Sequence, residues 1–207
     1  MAGSSTGRGA HSSTRSTSPR RTAMIFESAR ERVRSISSSE VEPGGSRDVG
    51  LLVLRVGLAA VVGAHGLQKL FGLFGGSGID GFAKTLTGYG FARGTSLLAW
   101  VTALSETGGS LLLLFGFLTP LGSAALLGVA LNIVYVRAPT GFFLNGTKEG
   151  FEFQLVLAVV ALALLFTGAG RYAVDARTPW GREPGRFGLA ALAFAVVTSV
   201  GVVVFFR

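Results

Sequence analysis

The 207-residue chain contains no cysteine. This absence excludes disulfides, thiol redox chemistry, thiolate-bound zinc and iron–sulfur clusters ligated by the protein. Charged residues are also scarce, because they make up 14% of the chain whereas a soluble domain carries about 25%. Hydrophobic residues make up 49%. The composition therefore predicts an integral membrane protein.

Histidine is nearly absent too, since His11 and His65 are the two in the chain. A bis-histidine haem needs two histidines within the membrane, and His11 lies in a polar tail. We therefore expect no cofactor held covalently or by metal ligation, and no metal site. The formal charge is +8, but the basic residues form no dense patch interleaved with aromatics, so nucleic-acid binding is not expected.

Residues 1–49 form a polar, basic segment rich in serine and arginine. This composition is typical of a disordered tail, and no apolar segment in it resembles a cleavable signal peptide. Apolar residues recur at helical spacing within it, at Ile25, Ala29, Val33 and Ile36. A short basic helix on an anionic lipid surface and a solvated tail both fit this stretch.

From residue 50 onwards the chain consists of apolar blocks that are long enough, at roughly 18–22 residues, to cross about 30 Å of hydrocarbon. Backbone polar groups in lipid must be satisfied internally, so each block is predicted to be a helix. The predicted spans are 50–71, 96–117, 120–137, 152–168 and 187–206. The expected fold is an all-α membrane protein, a four-helix transmembrane bundle with an additional fifth C-terminal transmembrane helix.

Small residues within these blocks predict close contacts between helices. They are Gly57, Gly63, Gly108, Gly109, Gly122, Ala125 and Gly128. Thr119-Pro120 leaves almost no loop between the second and third blocks, which predicts an antiparallel hairpin.

The distribution of lysine and arginine predicts the orientation. If the N-terminus is cytoplasmic, twelve basic residues lie on the inner side and six on the outer side. Positive charge is enriched on the cytoplasmic side of membrane proteins. The sequence therefore favours a cytoplasmic N-terminus and an external C-terminus. The lipid bilayer is the partner that the composition predicts.

Polar side chains within the spans are the strongest indication of function, because a charge near the helix centre costs roughly 2.5–3.5 kcal/mol. At about 100° per residue, Arg55, His65 and Lys69 share one sector of the first span. Glu106 lies in the second span, Asn132 in the third and Glu152 at the start of the fourth.

These six residues predict a polar pocket in the outer half of the bundle, with Arg55 nearer the inner face. The alternative is a network of ion pairs that only fixes the helices to one another. A set of phenylalanines near the pocket is suited either to an aromatic ligand or to the membrane interface. They are Phe71, Phe74, Phe142, Phe143, Phe151 and Phe153.

Short motifs in the apolar blocks resemble the DoxX family of small bacterial integral membrane proteins, over residues 50–175. The motifs are Arg55–Gly57, His65–Lys69, Gly81–Ala83, Glu106–Gly109, Gly116–Pro120, Gly150–Phe153 and Gly168–Asp175. The resemblance implies a four-helix membrane core in a bacterial plasma membrane and an association with oxidoreductase systems, including a thiosulfate:quinone oxidoreductase. Residues 176–207, a linker and the fifth helix, are an addition to this core, as is the tail.

The residues and the resemblance support two hypotheses of function. In the first, the chain is a membrane subunit of a redox or oxidative-stress complex that docks a peripheral or soluble redox enzyme and binds quinone in the pocket. His65 and Lys69 would donate hydrogen bonds, and Glu106 would relay protons. In the second, it is a non-catalytic anchor or a small-solute carrier. The sequence identifies no catalytic residue, no oligomeric state and no enzymatic reaction.

Overall fold

The computed structural model describes residues 45–145 and 150–207, together with Met24, Glu27, Ser28 and Arg30, which are helical. Contacts divide the chain into two compact units, Met1–Pro43 and Gly44–Arg207, of which the second contains the helices long enough to span a membrane. The apolar face predicted for the tail lies outside the described residues, at Ile25, Ala29, Val33 and Ile36.

The described part of the second unit contains seven α-helices, joined by short turns and connections. The prediction of an all-α fold is therefore confirmed. The helices are α1 (Gly45–Phe71), α2 (Gly78–Gly88), α3 (Thr95–Phe115), α4 (Thr119–Arg137), α5 (Glu152–Thr167), α6 (Pro179–Arg182) and α7 (Pro184–Phe206). Gly45–Val49 belong to α1 and not to the tail in which the sequence placed them. The reason is that Asp48 is buried in the bundle, where its carboxylate accepts from the Arg171 amide at 3.0 Å.

Within the described residues, four helices are long and apolar enough to cross a membrane: α1, α3, α4 with its extension to Thr140, and the C-terminal α7. The predicted span 152–168 agrees with a helix to within one residue, but that helix is too short to be counted among these four. Its helix, α5, has 16 residues and at 1.5 Å per residue covers only about 24 Å. Gly168, with φ 74°, ends it.

The bundle core is a ring in which α1 packs on α3, α3 on α4, α4 on α5 and α5 on α1, while α7 packs outside on α4 and α5. As predicted, α3 and α4 form a hairpin. A Cβ added to Gly109 of α3 would lie 3.1 Å from the Gly122 carbonyl oxygen of α4. The prediction of close helix contacts is wrong for Gly57 and Gly108, because a Cβ added to either residue would meet nothing within 4 Å.

The two ends of the bundle differ in construction. One end, here called the Arg55 end, contains the start of α1, the α3–α4 turn and the segment 168–183. Asp175 is buried there, and its carboxylate accepts from the amides of Leu118 and Thr119 at 3.0 and 2.7 Å. These bonds satisfy two unpaired donors at the start of α4.

The opposite end, here called the Lys69 end, contains the end of α1, the helix α2 and the last residues of α7. The Phe206 carbonyl accepts from the amides of Ala92 and Arg93 at 3.0 and 3.2 Å, and the Arg207 guanidinium lies 5.1 Å from the Tyr135 ring centroid. These contacts fix α7 against the connection between α2 and α3.

Candidate functional site

A cavity of about 260 Å³ lies among the helices toward the Lys69 end. Its walls come from α1, α3, α4, α5 and α7, and α2 with the following turn closes one side. The apolar lining includes Phe82, Phe91, Leu126, Ile133, Phe153 and Val202. The polar lining includes His65, Lys69, Thr102, Glu106, Asn132 and Gln154. Apolar walls with a few convergent polar groups are typical of small-molecule sites.

The central polar feature is an ion pair between α1 and α3. The Lys69 Nζ lies 2.6 Å from the Glu106 Oε2, and their side chains are 16% and 3% exposed. The Lys69 ammonium also lies 5.0 Å from the Phe82 ring centroid of α2. Such a pair, in surroundings of low dielectric, interacts more strongly than a surface pair.

Close packing of α1 against α3 brings these two charges together. A Cβ on Gly66 would collide with Thr107, the residue after Glu106. One turn away, a Cβ on Gly63 would lie 3.2 Å from the Ser110 Cβ. Gly63 and Gly66 therefore allow α1 to lie close enough to α3 for Lys69 to contact Glu106.

Amide side chains from two further helices complete the lining. Asn132 of α4 accepts through its Oδ1 from the Ser199 hydroxyl of α7 at 2.8 Å. Gln154 of α5 has a buried Oε1 with no hydrogen-bond partner among the described residues. His65 is more exposed, and its Nδ1 lies 3.0 Å from the Gln68 Oε1.

Four of the six residues predicted to form the pocket line the cavity: His65, Lys69, Glu106 and Asn132. The other two lie elsewhere. Arg55 donates to carbonyls at the opposite end. Glu152 accepts from the Leu144 amide at 3.1 Å, so it orders the connection before α5.

The aromatic lining differs from the predicted set. Of the six predicted phenylalanines, Phe153 lines the cavity, while Phe71, Phe74 and Phe143 face outward, each more than two-thirds exposed. Phe82 and Phe91 take their place, in or just after α2. The short apolar motif around Phe82 could have indicated a buried segment. The sequence of a connection between spans does not show, however, against which part of the bundle the connection packs.

Gln154 is a further cavity-lining residue that the predicted pocket left out. A glutamine two positions after Glu152, in an otherwise apolar helix, is a signal of the same kind as Asn132. Together the lining offers donors from Lys69 and Asn132 and acceptors from Glu106 and Gln154. The cavity can thus hold a small ring that carries polar oxygens.

Comparison with known families supports the resemblance in part of the chain. Comparisons with the curated proteins and with the solved structures give no match. Residues 50–138, which contain most of α1, all of α2 to α4 and the lining residues His65, Lys69, Glu106 and Asn132, match the DoxX family model. Over these residues the chain is similar to the DoxX family.

Proposed function

We propose that this chain is the membrane subunit of a redox or oxidative-stress complex and that it binds a quinone head group in the cavity. The observation that carries the proposal is the Lys69–Glu106 pair, which lies at 2.6 Å in the wall of a cavity of about 260 Å³. Ionisable residues inside a membrane bundle are typically functional, because their cost in lipid must be offset.

The size and lining of the cavity suit a ring with oxygen substituents. Small-molecule sites have volumes of roughly 300–1,000 Å³, so this cavity accepts a single ring and leaves an isoprenoid tail in the surrounding lipid. Lys69 and Asn132 supply donors for carbonyl oxygens. Phe82, Phe91 and Phe153 supply aromatic surface for the ring, and aromatic pairs are favourable beyond the area they bury.

The proposed partner is a peripheral or soluble redox enzyme. With no cysteine and a single histidine after the tail, the chain has few residues that could hold an electron carrier, so electrons would come from another subunit. Four arginines at or near the Arg55 end, Arg171, Arg177, Arg182 and Arg186, favour the cytoplasmic side of a bacterial plasma membrane for this end. The cavity would then lie in the outer half of the bilayer.

The ion pair also favours a second function, that of a non-catalytic anchor or small-solute carrier. In that case Lys69 and Glu106 satisfy each other and hold α1 against α3, or line a path for a solute. A carrier predicts flux of a small polar solute into liposomes that contain the protein. An anchor predicts neither flux nor a bound quinone.

Photoaffinity labelling tests the proposal. The purified chain in mild detergent is illuminated with an azido-quinone, and labelled peptides are identified by mass spectrometry. We expect label on α2 and on the cavity face of α5, near Phe82 and Phe153, that excess unlabelled quinone removes. Label confined to outward residues of α7, such as Val197 and Val204, or label that excess quinone does not reduce, would contradict the proposal.

A further inference from the structure

We infer that the cavity binds the reduced, dihydroxy form of its ligand, a quinol, more tightly than the oxidised dicarbonyl form. The inference rests on the proposed function, since it concerns the same cavity and the same class of ligand. It follows from two acceptors in the lining, one of which has no donor among the described residues.

Gln154 provides the first such acceptor. Its Oε1 is buried and has no hydrogen-bond partner among the described residues, and the residue lines the cavity. Leaving a buried acceptor without a donor is unfavourable. A ligand hydroxyl removes this penalty, whereas a ligand carbonyl has no hydrogen to donate.

Glu106 provides the second. Its Oε2 accepts from the Lys69 ammonium, and the second carboxylate oxygen is a further acceptor in the cavity wall. An ionised carboxylate accepts hydrogen bonds and donates none. A quinone carbonyl beside this carboxylate would bring two acceptors together, but a quinol hydroxyl donates to it.

The donors in the lining do not reverse this preference. The Ser199 hydroxyl occupies the Asn132 Oδ1 at 2.8 Å, so the part of Asn132 left for a ligand is its NH₂ group. Both ligand forms accept from this group, from Lys69 and from Arg137, which also lines the cavity, because a hydroxyl oxygen accepts as a carbonyl oxygen does. The hydroxyls of Thr85, Tyr89 and Thr102 can likewise donate to either form. The two forms therefore differ chiefly at Gln154 and Glu106, and both acceptors favour the quinol.

The expected preference for the quinol is about tenfold in Kd, which corresponds to about 1.4 kcal/mol. Preferential binding of the reduced form raises the reduction potential of the bound couple. For a two-electron couple a tenfold ratio corresponds to about 30 mV.

The test is an anaerobic titration of the full chain in mild detergent with a decyl-substituted benzoquinone and, separately, with its quinol. We expect the wild type to bind the quinol about tenfold more tightly. Gln154→Leu should reduce this ratio several-fold, mainly by weakening the quinol. Gln68→Leu, the same substitution at a glutamine that does not line the cavity, should leave the ratio unchanged and is the matched control.

The outcomes separate this inference from the proposed function. Equal affinity for the two forms, or tighter binding of the quinone, would overturn the inference and leave the proposed function standing. An unchanged ratio in Gln154→Leu would overturn the role of Gln154. If the wild type binds neither form, both fail. Should Gln154→Leu not fold, the ratio of the two Kd values of the wild type tests the inference by itself.

Discussion

The Arg55 guanidinium of α1 donates to the carbonyl oxygen of Ala169 at 3.0 Å, and its second terminal nitrogen donates to Tyr172 at 2.8 Å. Both carbonyls follow the end of the short helix α5, where the backbone is not helical. Non-helical backbone within a membrane protein needs partners for its polar groups. Arg55 supplies them, which explains a buried arginine in a membrane span.

Arg55→Met should therefore destabilise the fold. It removes two charge-assisted hydrogen bonds and leaves two carbonyls unpaired, and we expect a loss of about 2–4 kcal/mol. Unfolding of the purified protein by sodium dodecyl sulfate in mixed micelles measures it. Arg186→Met is the matched control, since the Arg186 side chain is 84% exposed and pairs with Glu183 on the surface. A change within about 0.5 kcal/mol is expected there, and equal effects of the two substitutions would refute this role of Arg55.

Two adjacent glycines of α3 should respond in opposite ways to alanine. A Cβ on Gly109 would lie 3.1 Å from the Gly122 carbonyl oxygen and 2.9 Å from the Leu126 Cδ2, so the α4 backbone must give way and Leu126 must move, at a cost of about 1–3 kcal/mol. A Cβ on Gly108 meets nothing within 4 Å, so Gly108→Ala should be neutral or stabilise the helix by up to about 1 kcal/mol. The same unfolding experiment compares them. If Gly109→Ala proved as stable as Gly108→Ala, the close contact between α3 and α4 would be disproved.

The Lys69–Glu106 pair should show strong coupling in a double-mutant cycle. Glu106→Leu leaves a desolvated ammonium without its partner, and Lys69→Met leaves a carboxylate in the same condition. Each should cost about 3–5 kcal/mol. The double variant, which has two apolar side chains, should be less destabilised than either single variant. Additive losses, measured by the same unfolding, would mean that the two residues do not interact.

The sequence was sufficient to predict the five most apolar helices, α1, α3, α4, α5 and α7, because long runs of apolar residues indicate burial in lipid. The hairpin at Thr119-Pro120 and the C-terminal helix α7 followed from the same pattern. The bounds of α5 were likewise predicted to within one residue, but its length is below the roughly 18 residues that a span needs. The position of α2 depends on tertiary contacts, which hydropathy does not record.

The candidate site was predicted in part for a related reason. The helical repeat places Arg55 and Lys69 on one face of α1. Their separation of 14 residues, however, corresponds to about 21 Å along the helix axis. They therefore serve opposite ends of the bundle. Glu152 was predicted to face the pocket because it starts a span, where a carboxylate can equally accept from the backbone of the preceding connection. No pattern within one helix indicates that Ser199 reaches Asn132.

The most direct measurement of the central claim is organic extraction of the chain purified from native membranes in mild detergent, followed by mass spectrometry for quinones. Glu106→Gln is processed in parallel, because glutamine keeps an oxygen that accepts from Lys69 and so preserves the fold, which circular dichroism verifies. We predict near-stoichiometric ligand, counted as quinone plus quinol, in the wild type and less in Glu106→Gln, which removes the charged acceptor of a quinol hydroxyl. Absence of quinone from both well-folded proteins would contradict the account and favour the anchor or carrier.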